Sequence, residues 1–142
     1  MVYQTIRPPP PGDSARRSLQ KGGFVKIPGS IKVGGRNYEI ICPYIFRDSQ
    51  SVLYGLHDPS GQTIKISTKD EHGCDRHPES ITHTFLHEIL HAIDSVYFGG
   101  KLTVWEHGED AIDQLAEGLL YIFNDNDLDL GNDNRRQDQG ID

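Results

Sequence analysis

An α+β domain is what this sequence predicts: a small antiparallel or mixed sheet of three to five strands, packed on a site-bearing helix and a second, C-terminal helix. Two observations predict it. Short runs rich in β-branched and aromatic residues, separated by turn-forming dipeptides, fill residues 24–67. From Pro78 onward the apolar spacing lengthens to three and four residues, the period of a helix with one buried face.

In chain order, residues 1–23 hold Pro8 to Pro11, Gly12, Arg16-Arg17 and Gly22-Gly23, and read as a polyproline-II or disordered arm. Phe24 to Ile27 is a first short strand, ended by Pro28-Gly29. Ile31 to Val33 and Tyr38 to Cys42 flank Gly34-Gly35, a hairpin signal. Val52 to Leu56 and Thr63 to Ser67 flank the turn Asp58-Pro59-Ser60-Gly61, and the second of these alternates cleanly, as a half-buried strand should. A polar loop over 68–77 leads to Pro78, suited to a first helical turn, and Glu79, suited to the positive end of the helix dipole. That helix should end at Tyr97 or Phe98, where Gly99-Gly100 supplies the stop. A second helix fits from Glu106 or Gly108 to Phe123, with Ile112, Leu115, Ala116, Leu119, Ile122 and Phe123 on its apolar arc. Beyond it the chain is polar, so the expected organisation is an arm over 1–23, one domain over 24–126 and a disordered acidic tail over 127–142. Asp125, Asp127 and Asp129 imitate a calcium loop, but the glycine comes one place late at Gly131 and Arg136 holds the twelfth position.

Composition excludes several classes of function. Lys and Arg number 14 against 21 Asp and Glu, so the net charge is 14 − 21 = −7 and no nucleic-acid backbone partner is expected. No run approaches the ~18 apolar residues of a membrane span, and Met1 to Arg7 is no signal-peptide core. Cys42 and Cys74 are then expected as reduced thiols in a cytoplasmic protein.

The chemistry concentrates in His87-Glu88-Ile89-Leu90-His91. Residues four apart share a helix face, so both imidazoles can reach one metal ion, with Glu88 beside it as general base. At 100° per residue, Phe85, Leu86, Ile89, Leu90, Ala92, Ile93, Val96 and Tyr97 cover more than half the helix, while His83, His87, His91 and Asp94 fall on the remaining arc. No Lys or Arg occurs between Arg76 and Lys101. That pattern suits a helix buried on most sides, with a His-rich strip opening on a cleft.

A catalytic zinc takes three protein ligands and a water. Glu109, next to Ala116 and Leu120 in projection, is the expected third ligand, since a carboxylate among core positions needs compensation. Glu106, Asp94 and Glu117 remain alternatives. Asp113, one turn after Glu109, can orient a ligand histidine through its outer nitrogen, and Asp94 can do the same. His83 is expected as a cleft wall.

Together, His87-Glu88-x-x-His91 and Glu109-x-x-x-Asp113 resemble the gluzincin arrangement of the zincin metallopeptidases. Leu56 to Ile66, Thr84 to Asp94 and Leu115 to Asn126 also resemble stretches of small zincin-like proteins encoded by phages and prophages. The resemblance implies zinc held by His87, His91 and Glu109, a peptide or protein substrate, and Glu88 moving the proton from water to the leaving amine. His107, His83 and Tyr121 are then candidate oxyanion donors, and Thr63 to Ser67 a strand for an extended peptide to join. Two rivals stand beside this reading. One is a non-catalytic zinc-binding or partner-binding module on a zincin fold; the other is a hydrolase of non-peptide amides.

Overall fold

A computed structural model describes residues 26–47 and 53–126. The expected arm and tail lie outside these residues, as do Phe24, Val25 and Val52. Four strands, β1 (Ser30–Val33), β2 (Arg36–Ile41), β3 (Gly55–Asp58) and β4 (Thr63–Ile66), form one sheet in the order β1-β2-β4-β3. Three helices follow: α1 (Pro78–Phe98), α2 (Lys101–Val104) and α3 (Gly108–Asn126). The α+β class is observed, with a mixed sheet: β2 and β4 run parallel, while β1 with β2 and β3 with β4 are antiparallel.

Local chemistry explains the turns. Val33 pairs with Arg36, leaving Gly34 (φ 56°) and Gly35 (φ 81°) as a two-residue turn with both residues at positive φ. This is the type I′ condition that matches strand twist and favours glycine. Between β3 and β4, Asp58 Oδ1 accepts from the amides of Ser60 (3.1 Å) and Gly61 (3.2 Å), an Asx-type closure. Lys26 and Ile27 join no strand, and the strand expected over Val52 to Leu56 begins instead at Gly55. The reason for that shift is register: Gly55 to Asp58 are the residues that ladder with Ile66 to Thr63.

One face of the sheet is dry. Val33, Tyr38, Ile40, Ile64 and Ile66 alternate onto it and meet Ala92 of α1, with Ile81, Phe85, Ile89, Ile93 and Val96 packed around them. These α1 positions repeat every three or four residues, which is why the helix lies along the sheet. His77 Nδ1 accepts from the Glu79 amide (3.2 Å) at the start of α1, and Gly99 at φ 62° ends it, where the residue signals place both ends. Arg76 clamps the approach: it donates to Ser67 O (2.6 Å), Ser80 O (3.1 Å) and Thr84 Oγ1 (2.7 Å), and lies over the Tyr54 ring.

In α3, Ile112, Ala116 and Leu120 are buried, at steps of four. Leu115 and Ile122, expected on that buried arc, are 54% and 48% exposed. The contact with α1 therefore covers a narrower stripe of α3 than the apolar residues offer. A second correction concerns peptide docking. Thr63 to Ser67 contains β4, which is flanked by β2 and β3 and has no free edge; among the described residues, the edge strands are β1 and β3. No helix of the described residues is long and apolar enough to cross a membrane. Cys42 and Cys74 are free thiols.

Candidate metal centre

Because α1 rests on the sheet through its apolar face, its opposite strip carries His87 and His91 into the angle between α1 and α3. There they meet Glu109, in the first turn of α3. His87 Nε2 lies 2.8 Å from Glu109 Oε1, His91 Nε2 lies 3.1 Å from Glu109 Oε2, and the two Nε2 atoms are 3.1 Å apart. Both histidine side chains are 15% exposed, whereas that of Glu109 is 61% exposed. The expectation that Glu109 sits among core residues is therefore corrected: its place at the helix start leaves it facing the cleft. What brings it to the histidines is the approach of the two helices.

The outer hydrogen bonds fix which nitrogens face inward. Asp113 Oδ1 is 3.2 Å from His87 Nδ1, and a carboxylate can only accept, so Nδ1 carries the proton. The His91 tautomer is set through Thr103. The Thr103 hydroxyl donates to Asp94 Oδ2 (2.5 Å), so its oxygen accepts from His91 Nδ1, 3.3 Å away. As neutral imidazoles, both rings turn an Nε2 lone pair toward the other and toward the Glu109 carboxylate. Three electron-rich groups so close repel one another unless a cation lies between them.

The donor set fits a tetrahedral transition-metal ion. Bonds of ~2.0–2.1 Å place ligand atoms about 3.3 Å apart around such an ion, slightly wider than the 2.8–3.1 Å observed. Calcium and magnesium prefer all-oxygen shells, and two imidazoles argue against them.

Glu88, the residue after His87, lies beneath β3 at the edge of that strip and is only 7% exposed. Burial pushes its carboxyl up to about 7; the His87 charge pulls it down, Glu109 raises it, and the His57 backbone amide lowers it. Gly55 makes room for this side chain, since a Cβ there would sit 2.8 Å from Glu88 Oε1 and 2.6 Å from Thr84 Cγ2.

Asp94 is 1% exposed and was expected to orient a histidine directly. Instead it ties down the α1–α2 elbow, accepting from the amides of Leu102 and Thr103, each at 2.9 Å. It reaches His91 only through Thr103. Burial pushes the Asp94 carboxyl up, but the Thr103 hydroxyl and the two amides outweigh it, and the net shift is downward.

The other candidates stand outside the cluster. His83 Nε2 donates to the Asp113 carbonyl (3.3 Å) and, with Glu117 and Tyr121, lines a shallow cavity of about 400 Å³ that shares Asp113 with the centre. Glu106 is exposed, and the His107 ring meets the edge of Trp105 at 5.5 Å.

Three residues at the centre were missed by sequence reasoning: His57, Thr103 and Gly108. His57 of β3 lies parallel to His91, with ring centroids 6.5 Å apart, and its Nε2 is 3.1 Å from the hydroxyl of fully buried Tyr38. Burial pushes its imidazole down, as does the charge of His91, against smaller upward pulls from Asp58 and Asp94. Strand alternation, placing His57 on the same face as Gly55, was the available signal. Gly108 begins α3 so close to α2 that a Cβ would fall 1.8 Å from Leu102 O. Only glycine lets α3 start there, and Glu109 is the next residue.

Comparison with protein-family models, curated proteins and solved structures finds no match.

Proposed function

We propose that this chain is a zinc-dependent metallohydrolase, and that its substrate class is the peptide bond. The observation that carries the reading is the convergence of two oriented Nε2 lone pairs and the Glu109 carboxylate beside a buried carboxyl, Glu88, poised near neutrality. The resemblance to the zincins of His87-Glu88-x-x-His91, followed by Glu109-x-x-x-Asp113, supports the same conclusion.

His87, His91 and Glu109 would hold the ion, and Asp113 and Thr103 keep the imidazoles in the required tautomers. Bound zinc supplies Lewis acidity toward a carbonyl and lowers the pKa of a coordinated water toward ~7. Glu88 takes the proton from the attacking water and returns it to the leaving amine, work suited to a group whose pKa lies near the working pH. Two histidines and a carboxylate also suit ferrous iron. Glu88 favours hydrolysis, because a buried proton acceptor beside the cluster has a task there.

Metal analysis and peptide hydrolysis together test the proposal. The wild-type protein should take up one zinc and cleave members of a quenched fluorescent peptide library. Glu88→Gln should keep the zinc and lose about 10²–10⁴-fold in rate, and His87→Ala should lose the zinc. Turnover by Glu88→Gln at the wild-type rate rejects the mechanism. Stoichiometric zinc in His87→Ala rejects the ligand set, and zinc without turnover in the wild type favours the non-catalytic module.

A further inference from the structure

The polar groups around the two candidate ligand histidines divide into acceptors, spent donors and one remaining donor. Glu88, Glu109 and Asp113 are carboxylates. The Nδ1–H of His87 is spent on Asp113, that of His91 on Thr103, and the Thr103 hydroxyl on Asp94. His83, whose ring centroid is 6.4 Å from that of His87, donates its Nε2–H to the Asp113 carbonyl, so its Nδ1 is left as a lone pair.

His57 is different, and Tyr38 makes it so. The Tyr38 hydroxyl is fully buried, and His57 Nε2 is its hydrogen-bond partner among the described residues. Were Nε2 protonated, the hydroxyl hydrogen would be stranded in the core, at the cost of an unsatisfied buried donor. The arrangement that satisfies both has the Tyr38 O–H donating to Nε2, which places the imidazole proton on Nδ1. That N–H has no partner among the described residues, and it sits on the ring edge away from Tyr38. The ring itself is only 7° from parallel with His91. Main-chain geometry adds to the placement: Gly55 and His57 share the β3 face that covers Glu88, so the strand that carries the donor also roofs the base held by α1.

We propose that His57 is a substrate-contacting residue of this centre, its Nδ1–H donating to the carbonyl oxygen of the scissile bond, with buried Tyr38 as the positioning residue that holds the tautomer. The inference rests on the hydrolase reading. As the water oxygen bonds to the carbonyl carbon, the π pair moves onto the carbonyl oxygen and the water proton goes to Glu88. The His57 N–H then donates to an oxygen that has gained negative charge, so its hydrogen bond strengthens as the reaction proceeds. His57 is preferred to His107, His83 and Tyr121 as the donor because a core hydroxyl directs its proton to Nδ1, whereas the His83 Nε2–H is spent on the Asp113 carbonyl.

Phenylphosphonate, a stable anion with tetrahedral oxygens, is the probe. Its affinity for zinc-loaded protein is measured by calorimetry, after zinc content has been determined for each variant. All His57 and Tyr38 variants should keep one zinc. His57→Ala should bind the phosphonate about 10- to 100-fold more weakly, the scale of one hydrogen bond to a charged group. The asparagine amide nitrogen is as many bonds from Cα as Nδ1, and that of glutamine as many as Nε2. His57→Asn should therefore retain most of the affinity and His57→Gln should not. Tyr38→Phe should weaken binding several-fold through loss of the fixed tautomer.

Wild-type affinity in zinc-loaded His57→Ala, or equal affinities in the asparagine and glutamine variants, would overturn the proposal. So would a zinc-loaded wild type that ignores the phosphonate. If the wild type takes up no zinc, the hydrolase reading itself has failed; the metal measurement shows this before any phosphonate is added, and the inference falls with it.

Discussion

Glu88 and Glu109 are carboxylates on opposite walls of one cleft, yet Glu88 is sealed under β3 at 7% exposure while Glu109 presents 61% of its side chain to solvent. The wall made by α1 and β3 inherits its rigidity from the core, because the face of α1 opposite His87 packs on Tyr38, Ile64 and Ile66. The wall made by α3 rests on a narrow stripe, Ile112, Ala116 and Leu120, and on the tight start at Gly108. Its polar contacts with α1 run through groups that are themselves half exposed or more, Glu109 and Asp113. Under the proposed function the two walls divide the labour: one is built by folding, and the other would be held in place by the ion that Glu109 helps to bind.

The sharpest way to break this contrast is a pair of substitutions. Ile64→Ala, at a site with 0% exposure, should cost about 2–5 kcal/mol of folding stability with or without zinc. Glu109→Gln should cost at most about 1 kcal/mol in metal-free protein, yet abolish the stabilisation that zinc gives the wild type. Urea unfolding of both variants in chelator and in zinc measures this. Equal losses in chelator would show that the two walls are built alike.

Glycines offer a second comparison. Gly55→Ala forces a Cβ against Thr84 and Glu88 and should destabilise by about 1–3 kcal/mol. Gly118, on α3, has nothing within 4 Å of an added Cβ, so Gly118→Ala should stabilise by up to ~1 kcal/mol through helix propensity. Thermal unfolding of the two variants should move in opposite directions.

Asp113 tests the outer support of the open wall. Asp113→Asn leaves the fold in place but weakens the preference of His87 for the Nδ1–H tautomer, and zinc affinity should fall about 10- to 100-fold. Competition with a coloured chelator reads the change, and an unaltered affinity would remove Asp113 from the centre.

The smallest effect expected is a pH dependence from the elbow. The Asp94 carboxyl is held below its ordinary value when folded, so its contribution is complete above the unfolded value of ~3.9 and is lost as pH falls through the lower folded value. Metal-free Asp94→Asn should show a flatter acid limb in a plot of urea midpoint against pH. A wild-type acid limb in the variant would assign that dependence to other carboxylates.

Much of this architecture was legible in the residues alone. The ends of α1, the Gly34-Gly35 hairpin and the Asp58 turn follow from local conformational preferences, which act over a few residues wherever the chain goes. His87 and His91 share a face for the same reason: helical geometry by itself places residues four apart together. Glu109 was singled out by its projection beside Ala116 and Leu120, and the structure does bring it to the histidines, but as an exposed cleft residue rather than a buried one. Helix projection states which side a residue occupies; it cannot state how far a neighbouring helix covers that side. The same limit explains Leu115 and Ile122, apolar and in phase, yet exposed.

What only tertiary structure decided are the contacts between segments distant along the chain. The sheet order puts β3 rather than β4 at the edge, and register sets Gly55 and His57 over α1. Asp94 turned out to hold an elbow, since the α2 amides it binds arrive only once Gly99 and Gly100 have reversed the chain. Tyr38 and His57, 19 residues apart, meet across β4, and no local periodicity links them. The five-residue motif by itself determined that two imidazoles can share an ion. Which nitrogens face Glu109, and which neighbours hold them there, was decided by packing, because hydrogen-bond partners are chosen by proximity in space and not by spacing in sequence.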